Sequence, residues 1–439
     1  MSSESIKYKP RMSYDSSENH ITLTPEQQKV YSYLTAGKSI FVTGMAGTGK
    51  SSVLKLFLRT YKHKAKKIGV TSTTGTSALL IGGTTLHSFL GIGLGNGTVE
   101  QLVDKITNWS WLHGRWNYIE CLFIDEISML NPVLFDKLEQ VARIVRNNDR
   151  PFGGIQLVLS GDFLQLPCVG TEKFCFEAES WNKCIDHTVH LTTIIRQSET
   201  IFQTVLNKVR LGEIDEEVEK VLNSRVGVKL RNSYGIKPTK LFSTNADVDR
   251  VNEEELELLA EDDRQFYQYD MDIVVDSKVK NKSNAEQKFR KYCSTPETVE
   301  LCVGAQVILL VNLNMELGLA NGSRGVIVSF VEDFPLVKFL NGVEHIVSWY
   351  TWEVEENAKN ILRARQVPLK PAYALSIHRV QGASLDYVEI DLGNIFEYGQ
   401  AYVALSRVKT LKGLSISAIN YDCIQPNPKA LEFYKSLET

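Results

Sequence analysis

Short apolar runs alternate with stretches of helical periodicity through the first part of the chain. The stretches between several runs carry apolar residues three or four positions apart, which is typical of helices that pack on a sheet. Strands that alternate with helices predict a parallel sheet covered on both faces, so we expect one α/β unit over residues 21–190. Its predicted strands are Ile40–Thr43, Ile68–Thr71, Leu122–Asp125, Gln156–Ser160 and Val189–Leu191.

The later part of the chain combines two patterns. The runs Lys240–Ser243 and Tyr387–Leu392, with the helical pattern Val248–Ala260, predict a second α/β unit within residues 191–439. Short apolar runs between them are broken by Asn-Gly turns, which is typical of a small β-barrel spliced into the second unit. These runs are Ala305–Val311, Gly325–Val328, Leu336–Phe339 and His345–Val347, and the turns are Asn321-Gly322 and Asn341-Gly342.

Two segments depart from this organisation. The sequence GIGLGNG and three tryptophans, Trp109, Trp111 and Trp116, predict a small insertion after Leu86. We expect these tryptophans to fill a core more than to stack on bases, because a Trp side chain buries a large apolar area. Residues 1–20 are polar, without apolar periodicity, and are predicted to be a flexible tail.

Composition limits the class of protein without choosing a partner. No apolar run of the 439 residues approaches the ~20 that span a bilayer, and the first twenty residues lack the apolar region of a secretory signal. We therefore expect an intracellular protein, cytoplasmic or nuclear, with no membrane partner. The net charge of −3 neither supports nor excludes nucleic acid.

The seven cysteines are scattered without a C-x-x-C pair, which favours free thiols in a reducing compartment. Cys175, Cys184, His187 and His190 lie close in sequence, but their spacing matches no familiar zinc finger. We expect core thiols there and no metal site.

The segment Gly44–Ser51, GMAGTGKS, matches the pattern G-x-x-x-x-G-K-[ST]. It follows the predicted strand Ile40–Thr43 and precedes the helical pattern Ser52–Leu58, which is the context of a phosphate-binding loop. Glycines let successive backbone N–H groups point at a polyphosphate, with a helix N-terminus behind them. We expect Lys50 to reach the β- and γ-phosphates and the Ser51 hydroxyl to hold Mg²⁺.

Two carboxylates, Asp125 and Glu126, end a buried-looking strand. An apolar strand that brings an acid to the carboxyl edge of a parallel sheet is how nucleotide-hydrolysing folds hold a metal ion near the phosphate loop. We expect Asp125 to hold Mg²⁺ through water and Glu126 to orient and deprotonate the attacking water. The alternative is a solvated acidic pair. Because phosphate transfer to a metabolite rarely needs a second acid, the pair favours an ATPase or, more broadly, an NTPase.

Three more polar residues follow apolar segments: Gln165 in SGDFLQLP, Arg196 in LTTIIRQ and Arg407 in YVALSR. An isolated Arg that follows an apolar segment usually forms an ion pair at the protein surface. In a two-lobed NTPase, however, an Arg from the second lobe stabilises charge that develops on the γ-phosphate. Gln165 stands where it could sense that phosphate.

These motifs, in this order, resemble those of the petite-integration-frequency (PIF) family of DNA helicases, in the B branch of helicase superfamily one with RecD- and Dda-type relatives. LTPEQ, which ends at Gln27, is similar to the family's first motif, and VTSTTGTSALLIGGTTLHSF to the segment that grips single-stranded DNA. LCVGAQVILLVNLN, GLANGSRGVIV, ALSIHRVQGASLD and GQAYVALSRV are characteristic of the family. The similarity extends in order from about residue 21 to 415.

The resemblance implies an α/β fold of two RecA-like P-loop NTPase domains, 21–190 and 191–439. It implies a wedge insertion at about 87–118 and an SH3-like β-barrel insertion at about 296–368. Lys50, Ser51, Asp125 and Glu126 become the hydrolytic core, Gln165 the γ-phosphate sensor, Arg196 and Arg407 the arginine fingers, and Gln381 a link between nucleotide and DNA. The implied nucleotide contacts are Gln27, Gly44, Met45, Ala46, Gly47, Thr48, Gly49, Lys50, Ser51, Ser52, Gln381 and Gly382, and the implied DNA contacts are Thr71, Ser72, Thr73, His87, Phe89 and His378.

By the same resemblance we expect an ATP- and Mg²⁺-dependent DNA helicase for replication, recombination or repair. It would be a monomer that tracks single-stranded DNA from 5′ to 3′ and unwinds forks, with G-quadruplexes and RNA–DNA hybrids as further candidate substrates. Two alternatives are a DNA-stimulated loader ATPase that separates no strands and a binding module without activity. Met45 stands where the family usually has a small residue, and its side chain is expected to point outward. KTLK, from Lys409, replaces the usual end of the last motif, and the compact core favours a bacterial or viral source.

Overall fold

The computed structural model describes residues 23–60, 67–93, 95–193, 199–230, 237–261, 264–275, 296–311, 313–314, 316–319, 322–357 and 360–438. The predicted tail 1–20, Arg196 and Asn321 lie outside these described residues. Within the described ranges, no helix is long and apolar enough to cross a bilayer.

The helices and strands are numbered in chain order. The α-helices are α1 Pro25–Thr35, α2 Lys50–Thr60, α3 Gly75–Leu80, α4 Leu86–Leu90, α5 Val99–Thr107, α6 Ser110–Tyr118, α7 Pro132–Val145, α8 Trp181–Cys184, α9 Thr200–Leu211, α10 Glu216–Asn223, α11 Asn245–Ala260, α12 Gln400–Ser406 and α13 Pro428–Glu438. The strands are β1 Ile40–Gly44, β2 Ile68–Ser72, β3 Thr84–Thr85, β4 Cys121–Asp125, β5 Gln156–Gly161, β6 His187–Leu191, β7 Thr239–Phe242, β8 Phe266–Asp270, β9 Asp272–Val275, β10 Thr298–Cys302, β11 Gln306–Leu309, β12 Arg324–Val331, β13 Phe334–Phe339, β14 Glu344–Ile346, β15 Tyr350–Asn357, β16 Asn360–Gln366, β17 Leu369–Pro371, β18 Ala374–Ser376, β19 Val388–Leu392 and β20 Leu414–Ile419.

The first six strands form one parallel sheet in the order β3-β2-β4-β5-β1-β6. The five strands predicted in this part are confirmed, and the two-residue strand β3 adds a sixth. β1 and β4 are buried at every position, as expected of a parallel sheet covered on both faces. The order places the carboxyl ends of β4, β5 and β1 side by side, at the edge where open α/β sheets bind ligands.

Three helices, α4 to α6, make up most of the segment predicted as a small insertion. Trp116 is fully buried there, and its indole N–H donates to the Leu90 carbonyl at 3.0 Å. Trp109 packs, partly buried, on the same core. Trp111 is 49% exposed, with the Arg115 guanidinium 4.7 Å from its ring centre. The expectation of packed tryptophans is therefore confirmed for Trp116 and Trp109 and wrong for Trp111.

A second parallel sheet has the order β18-β7-β19-β20 and contains both strands predicted for the second α/β unit. Helices α9, α10 and α12 contribute to the core beside it, which includes Leu241 and Ile390 of the sheet. Helix α11 begins after Thr244, whose hydroxyl accepts from the Asp247 N–H. This N-cap satisfies a backbone donor that the first helical turn leaves without a partner.

An antiparallel unit lies in the chain between the strands of the second sheet. Its largest sheet has the order β14-β13-β12-β11-β17, and the pairs β10-β8 and β15-β16-β9 complete it. The four predicted runs all fall in or next to these strands. The antiparallel strands begin at Phe266, however, well before the expected start at about 296, because β8 and β9 pair with strands that follow much later. Such non-local pairing leaves no signal in the local pattern of β8 and β9.

The C-terminal helix α13 packs against the first sheet, although the sequence predicts residues 191–439 as the second domain. Ala430 and Tyr434 are buried in the same core as Phe41 and Phe163 of the first unit. Phe433 stacks on Phe176 with ring centres 4.1 Å apart. The helix therefore returns the chain to its first unit, a contact that depends on a distant surface.

Candidate nucleotide site and nucleic-acid interface

The phosphate loop joins β1 to α2. Gly47 and Gly49 have φ angles of 90° and 81°, in the region that favours glycine. Gly44 also has a positive φ, 144°, and a Cβ atom there would lie 2.2 Å from the Leu191 carbonyl oxygen of β6. Lys50 and Ser51 open α2, as the motif predicts. The loop thus aims backbone N–H groups and a helix N-terminus at one point.

Lys50 is turned toward the loop itself. Its ammonium group donates to the Gly44 and Met45 carbonyls at 2.7 and 2.9 Å. Burial lowers the pKa of Lys50, while Asp162, Glu126 and Asp125 act in the opposite direction. A cation that contacts the loop's own carbonyls is placed to neutralise polyphosphate charge there.

Asp125 and Glu126 are both buried at the carboxyl end of β4. Asp125 Oδ2 accepts from the Ser77 hydroxyl at 2.9 Å. Glu126 has a left-handed backbone, φ 53° and ψ 46°, which is a strained conformation for a non-glycine residue. Burial and then the Asp125 carboxylate raise the pKa of Glu126, against the effects of Arg407, Gln381 and Lys50. A carboxylate with a raised pKa is suited to accept a proton near neutral pH.

The second unit brings its own groups to this edge. The Gln381 side-chain N–H donates to Glu126 Oε2 at 3.1 Å. Arg407 is 2% exposed, and its guanidinium donates to the Val403 carbonyl at 2.9 Å and to the Ser406 hydroxyl at 2.7 Å. The buried arginine therefore enters the site already oriented by its own helix.

A cavity of about 500 Å³ lies between the two units, a size in the range of ligand pockets. Among the residues the structure describes, the buried Gln165 side-chain oxygen has no hydrogen-bond partner, and Gln165 lines the cavity. An unpaired buried acceptor of this kind calls for a ligand or water. The predicted residues that line the cavity are Ala46, Gly47, Gly49, Lys50, Ser51, Ser52, Asp125, Glu126, Gln165, Gly382 and Arg407.

Several predicted nucleotide residues support the cavity from behind. Gln27 is buried, and its side chain donates to the Thr48 carbonyl at 3.1 Å, which ties α1 to the loop. The outward orientation expected for Met45 is wrong, because Met45 is 7% exposed and packs in the core of the second unit with Leu166. Ser77 and Lys409 also line the cavity, although neither is predicted as a site residue and both lie within or beside the motifs.

Ser51 and Asp125 are the residues that could hold a divalent cation. Their hydroxyl and carboxylate oxygens line the same cavity, and Mg²⁺ typically takes one or two carboxylates plus waters and phosphate oxygens. Within the described ranges, no group of three or more His, Cys, Asp or Glu side chains could hold a metal. The donor set therefore fits Mg²⁺ bound together with a phosphate ligand.

Two of the predicted DNA contacts point into the protein. Thr71 and Ser72 are fully buried, and their hydroxyls donate to the Phe123 and Asp125 carbonyls of the neighbouring strand at 2.6 and 3.2 Å. Their side chains are therefore used inside the sheet, and contact of these two residues with DNA stays a prediction that their side chains do not support. Consecutive residues of a strand point to opposite faces, so the burial of both side chains shows that the sheet is covered on both faces at this point.

The other predicted DNA contacts are partly exposed. Thr73 donates through its hydroxyl to the Glu126 carbonyl at 2.8 Å, so this segment touches the backbone of the acidic pair. His378 Nε2 lies 2.9 Å from Glu397 Oε2, and burial lowers the pKa of His87. The Phe89 ring packs under the Arg115 guanidinium at 5.0 Å. These four positions remain predictions, as does Arg196.

The chain matches the family of PIF1-like helicases over residues 22–220 and the 2B domain of DNA helicase Pif1 over residues 292–330. Uncharacterized protein 030L of Invertebrate iridescent virus 6 is 38% identical over 95% of this chain and 94% of its own. The ATP-dependent DNA helicase PIF1 of Xenopus laevis is 40% identical over 95% of this chain, which spans 65% of that longer protein.

Solved structures agree with the sequence matches. Pif1 helicase from Candida albicans has a TM-score of 0.87 and 35% identity, over 95% of this chain and 100% of the other. Pif1 helicase from Bacteroides, in complex with ADP-AlF₃ and ssDNA, has a TM-score of 0.75 and 30% identity, over 95% and 98% of the two chains. With the two-unit cleft and its residues, these similarities show that the chain belongs to the PIF1 family of ATP-dependent DNA helicases.

Proposed function

We propose that this protein hydrolyses ATP to move along single-stranded DNA from 5′ to 3′ and to separate the duplex ahead of it. The observation that carries the proposal is the contact between Gln381 of the second unit and Glu126 of the first at the wall of the nucleotide cavity. Because a residue of the opposite unit holds the catalytic carboxylate, the rate of hydrolysis depends on the relative position of the two units. A motor needs this dependence, since it couples hydrolysis to movement of one unit relative to the other.

The chemistry of the cavity follows from its residues. Backbone N–H groups of the loop and Lys50 would bind the β- and γ-phosphates. Ser51 and Asp125 would hold Mg²⁺, which supplies charge neutralisation at the phosphate oxygens. Glu126 accepts a proton from the attacking water, and Gln381 keeps that carboxylate in place. Arg407 stabilises charge as it develops on the γ-phosphate, and Arg196 is proposed as a second such group.

DNA is the proposed partner because related Pif1 helicases are described with ssDNA and at forked dsDNA. Contacts to sugar and phosphate would give this chain a grip that does not depend on base sequence. We further infer that it acts as a monomer inside the cell, in replication, recombination or repair. G-quadruplexes and RNA–DNA hybrids are proposed as additional substrates.

Strand separation on tailed duplexes tests the proposal. The protein is mixed with duplexes that carry a 5′ tail, a 3′ tail or no tail, with ATP and Mg²⁺, and release of the labelled strand is measured. We expect release from the 5′-tailed duplex alone, and none with Lys50→Ala. DNA-stimulated ATPase activity without any release would favour the loader ATPase. Release from the 3′ tail alone would contradict the direction.

A further inference from the structure

A buried phenol from the C-terminal helix lies behind the nucleotide site. The hydroxyl of Tyr434 is within hydrogen-bond distance of three groups of the first unit. Thr43 Oγ1 is 2.5 Å away, the Phe163 backbone nitrogen 3.1 Å, and Asp162 Oδ1 3.1 Å. Tyr434 is 5% exposed, and Thr43 and Asp162 are fully buried.

The direction of each of these hydrogen bonds follows from which groups can donate a proton and which can only accept one. An ionised carboxylate only accepts, so the phenol proton goes to Asp162. The Phe163 N–H donates to the phenol oxygen, and the remaining lone pair accepts from the Thr43 hydroxyl. Burial, with Asp162 nearby, raises the pKa of Tyr434 well above its usual range, so the phenol remains a donor at any working pH. Its full capacity of one donor and two acceptors is used.

The two segments that this hydroxyl joins both lead into the nucleotide cavity. Thr43 is the residue before Gly44, where the phosphate loop begins. Asp162 and Phe163 come just before Gln165, the cavity residue with an unpaired oxygen. Tyr434 therefore bridges the phosphate loop and the loop that carries the predicted γ-phosphate sensor, at the point where the pairing of β1 with β5 ends at Thr43 and Gly161.

Helix α9 also contacts the Asp162 carboxylate. Arg210, at the end of α9, donates twice to the Asp162 carboxylate, each time at 2.9 Å. Its guanidinium lies 4.8 Å from the centre of the Tyr434 ring. Helix α9 belongs to the core of the second unit, so the ion pair crosses between units. The Asp162 carboxylate thus accepts from Tyr434, which packs on the first unit, and from Arg210 of the second unit.

We propose that Tyr434 is a positioning residue for ATP hydrolysis, which aligns the phosphate loop with the sensor loop through Thr43, Asp162 and Phe163. The proposal rests on the proposed function and deepens it, since it assigns a role to a helix outside the matched family segments. Nucleotide binding depends mainly on the loop itself. Alignment of the two loops matters most in the transition state, when Lys50 and Gln165 must act on the same phosphate.

Tyr434→Phe tests this, because it removes one oxygen and keeps the ring that packs on Arg210. We expect kcat of the DNA-stimulated ATPase to fall about 10- to 100-fold, with the KM for ATP changed less than about twofold, since a small misplacement costs chiefly transition-state binding. Tyr421→Phe is the matched control, because its hydroxyl bonds Asn223 and Glu219 at the surface, and it should keep the wild-type kcat. Assays are run well below the melting temperatures of all variants.

A double-mutant cycle with Thr43→Val separates positioning from general stability. If both hydroxyls act through one alignment, the double variant should lose little more kcat than Tyr434→Phe alone. A lower melting temperature with wild-type kcat would reduce Tyr434 to a packing residue and overturn the inference. A wild-type chain that hydrolyses ATP but releases no strand would contradict the proposed function and leave this comparison of kcat intact.

Discussion

Gln381 holds Glu126 across the cleft: the amide N–H of one donates to the carboxylate of the other at 3.1 Å, between residues 255 positions apart in the chain. Glu126 is otherwise in an unfavourable setting, since it is buried next to Asp125 and has a left-handed backbone. The hydrogen bond therefore stabilises the ionised form of Glu126. It forms only when the two units are correctly positioned relative to each other.

Removal of the Gln381 amide should change the pH dependence of hydrolysis. The pKa of Glu126 is raised, so its proton-accepting form is lost as pH falls through that raised value. Gln381→Ala removes a hydrogen bond that lowers this pKa, and the acid limb of kcat should therefore move to higher pH. The measurement is kcat from about pH 5 to 9. Gln425→Ala, at an exposed site, is the control, and identical acid limbs in both variants would refute the coupling.

Loss of either central charged group should abolish most turnover. Lys50→Ala and Glu126→Gln are each expected to lower DNA-stimulated ATPase activity by at least about 100-fold, the usual cost of a preorganised charge-stabilising group. Glu126→Gln should still bind ATP, because it keeps the loop, Ser51 and Asp125. Binding of a fluorescent ATP analogue checks this. Near-normal turnover in either variant would remove the residue from the hydrolytic core.

Arg407→Ala should lower kcat far more than nucleotide affinity. An arginine finger can be worth about 10³–10⁵ in kcat, since it acts on charge present only in the transition state. Arg250→Ala is a suitable control, because its side chain is 57% exposed and pairs with Glu254 on α11. Steady-state ATPase and DNA-binding titrations are compared. If Arg407→Ala weakened DNA binding and left kcat intact, Arg407 would belong to the DNA channel.

The helical insertion should matter for strand separation and not for stepping. Deletion around Gly91–Gly97 is a poor test, because it would remove Ile92, which is buried in the core. Trp111 is 49% exposed on α6 and is the better probe. We expect Trp111→Ala to slow unwinding of a 5′-tailed fork several-fold, with ATPase activity on single strands unchanged. Tyr118→Ala, on the same helix and 51% exposed, is the matched control, and equal effects of both variants would argue against a wedge at Trp111.

Much of the nucleotide site could be predicted because its signals are local. The loop Gly44–Ser51 needs glycines at fixed offsets, and the acids Asp125 and Glu126 follow directly after a buried strand. Such features depend on residues within one strand, loop and helix, so the pattern contains them. The order of motifs then indicated that two α/β units share one cleft, and the cavity lined by Lys50 and Arg407 agrees with that prediction.

Other features were decided by contacts between distant parts of the chain. Thr71 and Ser72 lie in a polar stretch that looks available to DNA, yet their hydroxyls donate to the adjacent strand. Met45 packs into the core of the other unit, and Tyr434 of the C-terminal helix contacts Thr43, the residue before the phosphate loop. Local sequence determines which residues form a strand, loop or helix, because backbone preferences and periodicity act over a few positions. Which surface an element then covers depends on the shape and polarity of a partner hundreds of residues away, and only the tertiary structure decides it.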